Sequence, residues 1–436
     1  MTKRVGIRRE NKSVWERRTP IVPQHARELI EEHGIEIVVQ PSDIRVFGAE
    51  EYRTAGAQVR EELADCDVIV AIKEVPPHRI LADKTYIFFA HVIKGQPHNM
   101  PMLRQLLAQR CTLIDYEKVT DEHGRRLIFF GRHAGQAGML DTLWALGQRL
   151  DWEGMANPFS AIRVAHEYPD LATAKRAVHQ AGERIHTDGL PAALTPLVFG
   201  FTGYGNVSQG AQDVFDELAP VTVEPDDLSR LFAAPPDPYT LYKVVFKEEH
   251  MVEPTDPAHP FALQDYYQHP ERYRASFFRY VPYLTVLVNG IYWDARYPRL
   301  ITRAQLSKLF AGPERPRLRV VGDISCDIEG SIEFTVRSTE PGNPVYVYNP
   351  FTGETTDGVA GEGPVVLAVD ILPSELPREA SIYFSQVLRS YIPAIAHADY
   401  TVPFEQLALP PEIKRAVIAY RGELTPDYRY IRQYLS

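Results

Sequence analysis

Six ionisable side chains in the N-terminal third of this chain fall where an α/β sheet would gather them. Lys73 directly follows the apolar run DVIVAI, and His91 directly follows YIFFA. Arg18 lies in WERRTP, Lys94 in FAHVIKGQ, Glu117 just past TLIDY and Arg125 in EHGRRLIFF. In a parallel sheet, the loops that leave the C-terminal strand ends converge on one crevice. Adjacent strands would set Lys73 near His91 there, with Glu117 in reach. Several fixed cations suit a substrate with several carboxylates, which arginine forks hold in bidentate fashion. A lysine crowded by other cations has its pKa pushed down, so it can carry protons near neutrality. A histidine beside it titrates in the same range. Taken singly, each residue has a plain structural reading: a solvated surface charge for the lysine, a capping or core role for the histidine. Their coincidence at strand ends is what points to a site.

A second constellation occupies residues 197–215, LVFGFTGYGNVSQGAQDVF. The apolar run Leu197–Phe201 enters a glycine turn, Gly203-Tyr204-Gly205. Val207, Ala211, Val214 and Phe215 then recur as a helical stripe. This is the strand–turn–helix opening of a dinucleotide-binding unit. Gly203 permits the tight turn, Gly205 lets the backbone approach a pyrophosphate, and the helix N-terminus offers free N–H groups. Ser208 stands in place of the third glycine and is small enough for close helix–strand packing. An ordinary glycine-containing β–α turn is the alternative. Glu224, at the end of an expected strand Val221–Glu224, would meet a ribose 2′-hydroxyl and favour NAD, whereas Arg230 could meet a 2′-phosphate.

The elements that must position these residues alternate. Strands are expected at Arg4–Ile7, Glu36–Gln40, Asp67–Ile72, Thr85–Phe89 and Thr112–Ile114. Helices are expected at His25–His33 (closed by Gly34), Glu51–Ala55, Val59–Leu63 and Met100–Gln109. Strands alternating with helices imply a parallel α/β sheet. Residues 132–188 read as helical, and Gly135 and Gly138 suit tight helix packing. A second α/β unit begins at Leu194, with later strands at Thr285–Asn289, Leu318–Asp323, Val345–Tyr348 and Val365–Asp370. The stretches 231–238 and 256–280 read as insertions, the second carrying an aromatic cluster from Tyr266 to Tyr280. Arg378–Ile392 reads as an amphipathic helix that packs back on the first domain, followed by a helical tail from Ala394 with no third sheet.

A chain of 436 residues exceeds one typical core, so two domains are expected. The net charge of −10 argues against non-specific binding to nucleic acid or to an anionic membrane. The three cysteines, Cys66, Cys111 and Cys326, are far apart and lack metal-ligand spacing. They read as reduced residues of a cytoplasmic protein, with no metal site expected. No signal peptide and no apolar stretch of membrane-spanning length is expected.

The ordered motifs ERRTPIVP, AIKEVP, FAHVIKGQ, LIDYEKVTDEHGRRLIFFGRHAGQAGM, FTGYGNVSQGAQ, LVNGIYWDARYPRLITR, VGDISCDIEGSIEF and VDILPSELPREAS cover nearly the whole chain. They resemble the lysine–ketoglutarate reductase half of the aminoadipic semialdehyde synthase family and, more distantly, lysine-forming saccharopine dehydrogenase and alanine dehydrogenase. The resemblance implies an α/β fold of two Rossmann-like domains with parallel sheets and an inter-domain active-site cleft. The implied division is 1–135 for the substrate domain, completed by helices in 376–436; 136–193 for a helical connector; and 194–375 for the dinucleotide-binding domain.

The implied activity is reductive condensation of L-lysine with 2-oxoglutarate to saccharopine by NADP(H) or NAD(H), with NADP(H) favoured by the resemblance. The same resemblance gives Lys73 and His91 the acid–base work, and Arg18, Lys94, Glu117 and Arg125 the substrate. It assigns Gly203, Gly205, Asn206, Val207, Glu224, Asn289 and Asp370 to the cofactor. A saccharopine-cleaving half is expected to be absent, so a separate enzyme would cleave the product. Three alternatives stay open: the reverse, lysine-forming direction; another amino-acid or opine-type dehydrogenase; and a non-catalytic nucleotide-binding regulator.

Overall fold

Short, largely apolar runs build the parallel core of the first unit. The computed structural model of the protein describes residues 3–435. The chain divides into two units, one running through Phe130 and resuming at Pro377, the other spanning Gly131–Leu376. In the first unit the strands are β1 (Arg4–Ile7), β2 (Glu36–Val39), β3 (Gln58–Val59), β4 (Val68–Val70), β5 (Thr85–Phe88) and β6 (Thr112–Asp115). They lie in the order β3-β2-β1-β4-β5-β6, all parallel. Every residue of β4, β5 and β6 is buried, as expected for strands covered on both faces. The helices are α1 (Pro23–His33), α2 (Ala49–Thr54) and α3 (Met100–Ala108). Proline at the first turn starts α1, and Gly34 at φ 62 ends it.

Two expectations for this unit are corrected. Val59–Leu63 is not helical: Gln58–Val59 pairs with β2 as a strand, and turns follow it. The C-terminal tail is not purely helical. After a helix at Ile392–His397, the strands Val417–Tyr420 and Glu423–Leu424 extend the sheet antiparallel beyond β6. Val417–Tyr420 is a fully buried, β-branched run, and its pairing with β6 outweighed the polar surroundings from which a helix had been read. The helix Pro377–Leu388 does pack on this unit: the Oγ atoms of Ser381 and Ser385 accept the N–H groups of Thr19 and Val22.

The second unit opens with two long helices, α4 (Gly131–Trp152) and α5 (Leu171–Asp188); the stretch read as a connector belongs to this unit. Its strands are β7 (Leu197–Thr202), β8 (Val221–Thr222), β9 (Leu241–Phe246), the small hairpin β10 (Val252–Pro254) and β11 (Tyr273–Ala275), then β12 (Val286–Asn289), β13 (Val320–Asp323), β14 (Val345–Tyr348), β15 (Thr355–Asp357) and β16 (Val365–Leu367). The main sheet runs β8-β9-β7-β12-β13-β16-β14-β15. The strands from β8 through β16 in that order are parallel, and β14 and β15 close the edge antiparallel.

The sequence reading missed β9. Its mixture of buried and half-buried residues lies between the two stretches, 231–238 and 256–280, that had been taken as insertions. The helix α6 (Asn206–Phe215) follows the glycine turn and packs tightly along α4. A Cβ at Gly135 would lie 1.9 Å from the Val207 carbonyl oxygen, and one at Gly210 would lie 2.0 Å from that of Arg132. The two helix backbones touch, which only glycine allows.

Candidate active site

Four acidic and basic groups at the C-terminal end of the first sheet surround Lys73. Ile72 and Lys73 continue from β4, and their N–H groups both donate to the buried Glu10 carboxylate, at 2.6 and 3.1 Å. Lys73 itself is half-buried. Burial, and then the neighbouring Arg18 guanidinium, lower the Lys73 ammonium from its ordinary value, while Glu16 pulls the other way. Arg18 is only 3% exposed. Its Nε and Nη2 donate to the two oxygens of Glu16 at 2.7 and 2.5 Å, and its guanidinium lies 4.4 Å from the centre of the Phe130 ring. The Arg18 fork is therefore engaged by Glu16, and its charge acts on Lys73.

His91 stands just past β5 in a left-handed conformation, φ 48, which is rare for a residue with a side chain. Strain of this kind clusters at functional sites. The His91 ring stacks on Phe89 with 6.0 Å between ring centres, and its Nδ1 lies 2.8 Å from Glu74 Oε1. Glu74 also accepts from Lys12 Nζ at 2.9 Å. Burial alone would raise the Glu74 carboxyl, but the His91 and Lys12 hydrogen bonds hold it well below the usual carboxylate range. An ionised carboxylate only accepts, so it assigns the proton to Nδ1 and leaves Nε2 as the reactive nitrogen. Glu74 thus ties His91 to the segment that carries Lys73.

Beneath His91 lies a buried acid. Asp115, at the end of β6, pairs in register with Phe88. Its carboxyl accepts the N–H groups of Ala90 and Glu117. Burial pushes this carboxyl well up, and the neighbouring Glu117 adds to the shift. Among the described residues, the buried Asp115 Oδ2 and Glu117 Oε2 find no hydrogen-bond partner. Two such orphaned oxygens side by side are unusual in a native fold.

The remaining sequence candidates are more scattered. Glu117 pairs with Arg126 at 2.5 Å, not with Arg125. Arg125 is exposed and pairs with Asp121 in its own turn. Lys94 is exposed, and its backbone N–H donates to Gln96 Oε1 at 3.1 Å. Sequence reasoning missed Glu10, Glu16, Glu74, Lys12 and Asp115. Glu16 and Glu74 sit within the very motifs it singled out, WERR and IKEVP. A search for cations passed over the anions that hold them.

In the second unit the glycine turn has the required geometry. Gly203 adopts φ 77, and its N–H donates to the Phe246 carbonyl at the end of β9. A Cβ at Gly205 would meet nothing within 4 Å, so the space above the turn is open. The first intrahelical bond of α6 is Gln209 N–H to the Gly205 carbonyl. The N–H groups of Asn206, Val207 and Ser208 therefore point outward, free of intrahelical partners, as a phosphate cradle requires. Asn289, at the end of β12, is buried. It donates to Asp323 at 2.8 Å and Ser331 at 2.9 Å and accepts from Thr202 at 2.7 Å. Asp370 is exposed just past β16. A cavity of about 360 Å³ adjoins the turn, lined by Gly203, Gly205, Glu248, Tyr267 and Gly290 among others. These residues fit a dinucleotide.

Glu224 is corrected. It is exposed beyond β8, and β9 separates β8 from β7. The strand beside the glycine turn, β9, is followed instead by Lys247 and Glu248. Glu248 Oε1 accepts from the Tyr267 hydroxyl at 2.7 Å, and the Tyr204 hydroxyl also bonds Glu248. Tyr267 comes from the aromatic insertion, whose Tyr266, Tyr273, Phe277 and Tyr280 pack with Val198, Phe246 and Leu287 as one core.

Comparison with known proteins places this geometry. A family model described as alanine dehydrogenase/PNT, N-terminal domain, matches residues 6–137. The α-aminoadipic semialdehyde synthase of Arabidopsis thaliana is 41% identical over 98% of this chain, and the mitochondrial one of Mus musculus is 37% identical over 98%. The chain spans 41% and 47% of those two proteins. The L-lysine-forming, NAD(+) saccharopine dehydrogenase of Yarrowia lipolytica is 28% identical, with 88% of this chain matched to 90% of that protein. Among solved structures, an L-alanine dehydrogenase aligns with a TM-score of 0.64 at 17% identity, covering 99% of this chain and all of its own. A transhydrogenase from Sinorhizobium meliloti aligns with a TM-score of 0.57 at 13% identity, covering 98% of this chain and all of its own. The structural likeness establishes the two-unit α/β fold.

Proposed function

We propose that this chain, whose homologues are the α-aminoadipic semialdehyde synthases and the L-lysine-forming saccharopine dehydrogenases, is a nicotinamide-dependent oxidoreductase that condenses L-lysine with 2-oxoglutarate to saccharopine. The observation that carries this reading is the joint placement of Lys73, desolvated beside Arg18, and His91, oriented through Nδ1 by Glu74.

The lysine ε-amine must be neutral to attack the 2-oxo carbon. Lys73, with its ammonium form disfavoured, or His91 Nε2 accepts that proton. The resulting carbinolamine loses water, and the group that took the proton returns one to the departing oxygen. Glu74 keeps the imidazole in the tautomer that both steps need. A reduced nicotinamide cofactor, when bound, supplies hydride to the imine carbon. The backbone N–H groups of Asn206, Val207 and Ser208 would hold its pyrophosphate, with Gly203 and Gly205 clearing the approach. Asp370 would stand toward the nicotinamide and Glu248 toward the adenosine ribose, while Asn289, held by Thr202, Asp323 and Ser331, would brace the strand end beside the turn. Arg18, Lys94, Glu117 and Arg125 are assigned to the substrate; Arg18 retains Nη1 for this, since Glu16 takes its Nε and Nη2.

The same residues serve the reverse, lysine-forming reaction, and reactant concentrations set the direction. A cytoplasmic location belongs to the same proposal. Among the described residues no helix is long and apolar enough to cross a membrane. The test is a cofactor-oxidation assay with 2-oxoglutarate and a panel of amines. Oxidation that depends on lysine is expected. Oxidation with alanine and pyruvate-type pairs but not with lysine would overturn the proposal in favour of another amino-acid dehydrogenase.

A further inference from the structure

Away from Lys73 and His91, the first unit carries a second polar cavity, of about 330 Å³. Gly6, Ile69 and Tyr86 are register partners across β1, β4 and β5, so they share one face of the sheet. Arg8, two residues beyond Gly6, continues that face. The cavity sits there, walled on one side by Glu61–Leu63 and on the other by His78 and Arg79, with Leu63, Ile69 and Leu81 at its apolar floor.

The charges in this cavity do not balance. Arg8 is only 7% exposed. Its Nη1 donates to the Arg9 carbonyl at 2.8 Å and its Nη2 to Asn11 Oδ1 at 2.7 Å. Among the described residues it forms no ion pair with a carboxylate, and neither does Arg79 on the opposite wall. Arg9 is already neutralised by Glu61 at 2.8 Å. Burial depresses the Arg8 guanidinium; the pull of Glu10 is the strongest charge effect against this, and Arg79 and Arg9 add weaker like-charge repulsion. A buried cation with no carboxylate in ion-pair contact is costly. Two guanidiniums that flank an open cavity present forks to an oxyanion. Glu62 at the rim disfavours a highly charged ligand.

We propose that this cavity binds a small oxyanion, a carboxylate or phosphate carried on a compact apolar body, at a site separate from the Lys73–His91 cluster. Arg8 and Arg79 grip the anion, and Leu63, Ile69 and Leu81 receive the apolar part. The site is wired to the catalytic segment. Arg79 ends the same stretch that begins at Ile72 and Lys73, and Glu10, which holds both of those N–H groups, is two residues from Arg8. An occupant that pins Arg8 against Arg79 therefore stiffens the backbone on which Lys73 is mounted.

The test is calorimetric titration of the full chain with inorganic phosphate and with 4-methylpentanoate, to distinguish the two sources of the anion. It uses wild type, Arg79→Gln and Lys73→Met. Arg79 is exposed, so its replacement leaves the fold intact. Saturable binding of at least one anion is expected, weakened about ten-fold or more in Arg79→Gln and unchanged in Lys73→Met. Absence of saturable binding to wild type by either anion at millimolar concentration would overturn the proposal. So would binding that is lost in Lys73→Met but kept in Arg79→Gln.

Discussion

At the scale of single residues, the chemistry rests on which charges are paired and which are left exposed to the substrate. Lys73 is the cation whose charged form the fold opposes, through burial and Arg18. Replacing Lys73 with Met together with His91 with Gln is expected to lower turnover by about 100-fold or more, the contribution of positioned acid–base groups. Fluorescence titration with the reduced cofactor is expected to show near wild-type affinity. A double variant with near wild-type turnover would sink the assignment. Glu74 touches His91 and Lys12 and acts through the imidazole. Glu74→Gln is expected to cut kcat by about 100-fold with little change in KM, and Glu74→Asp to restore part of it. A KM effect alone would mean that Glu74 only shapes the substrate pocket. Of this cluster, Lys73 and His91 were legible because they directly follow apolar runs, and Arg18 as part of WERRTP. Their anionic partners were not, because a carboxylate beside a cation in sequence says nothing about where its side chain turns. Arg125 illustrates the same limit: one residue later, Arg126 is the one that reaches Glu117.

At the scale of elements, the insertion of β9 between β7 and β8 changes which acid stands beside the glycine turn. Sequence distance from the glycine turn pointed to Glu224. The hydrogen-bonded neighbour of β7 is β9, and just past its end stands Glu248 with the Tyr204 and Tyr267 hydroxyls on it. A carboxylate at that place accepts from a ribose 2′-hydroxyl and repels a 2′-phosphate. Glu248→Gln is therefore expected to weaken NADH binding and to improve NADPH binding relative to it, whereas Glu224→Gln leaves both unchanged. Direct binding titrations of the two cofactors read this out, and a cofactor preference that moves with Glu224 would refute the placement. The glycine turn, α1 with its Gly34 cap and the apolar strands β4, β5 and β6 were readable because each is dictated by local backbone and side-chain preferences. β9 was not, since a partly buried run between proline-rich and aromatic stretches resembles an insertion until the sheet assembles around it.

At the scale of the whole molecule, buried acids make stability depend on pH. In the second unit Asp141 and Glu375 are both buried and lie in hydrogen-bond contact, and His166 Nδ1 is 3.2 Å from Glu375. Burial pushes Glu375 from its ordinary 4.5 up to about 8, and drives Asp141 well up as well. Across that interval the native pair holds more protons than it does in the unfolded chain, so the stability it contributes is fully present below 4.5 and is lost as pH rises through about 8. In the first unit Glu10, raised by burial to about 7, adds to the fall over its lower part. Glu375→Gln cannot ionise and is expected to flatten the decline in Tm over this range, as thermal denaturation at a series of pH values would show. An unchanged slope would mean that the shared proton is not retained. The amino-acid sequence by itself determined the α/β class, and it marked Lys73, His91 and the glycine turn as candidates. Each of these is a matter of local pattern, of apolar runs and of residues that only certain backbone conformations accept. The tertiary structure alone decided the strand order that puts Glu248 beside the turn, the return of Val417–Tyr420 to the first sheet, and the pairing of Arg18 with Glu16 and of His91 with Glu74. Hydrogen-bonded strand neighbours and charge partners are contacts between segments distant along the chain or turned by the fold, and no local preference encodes them.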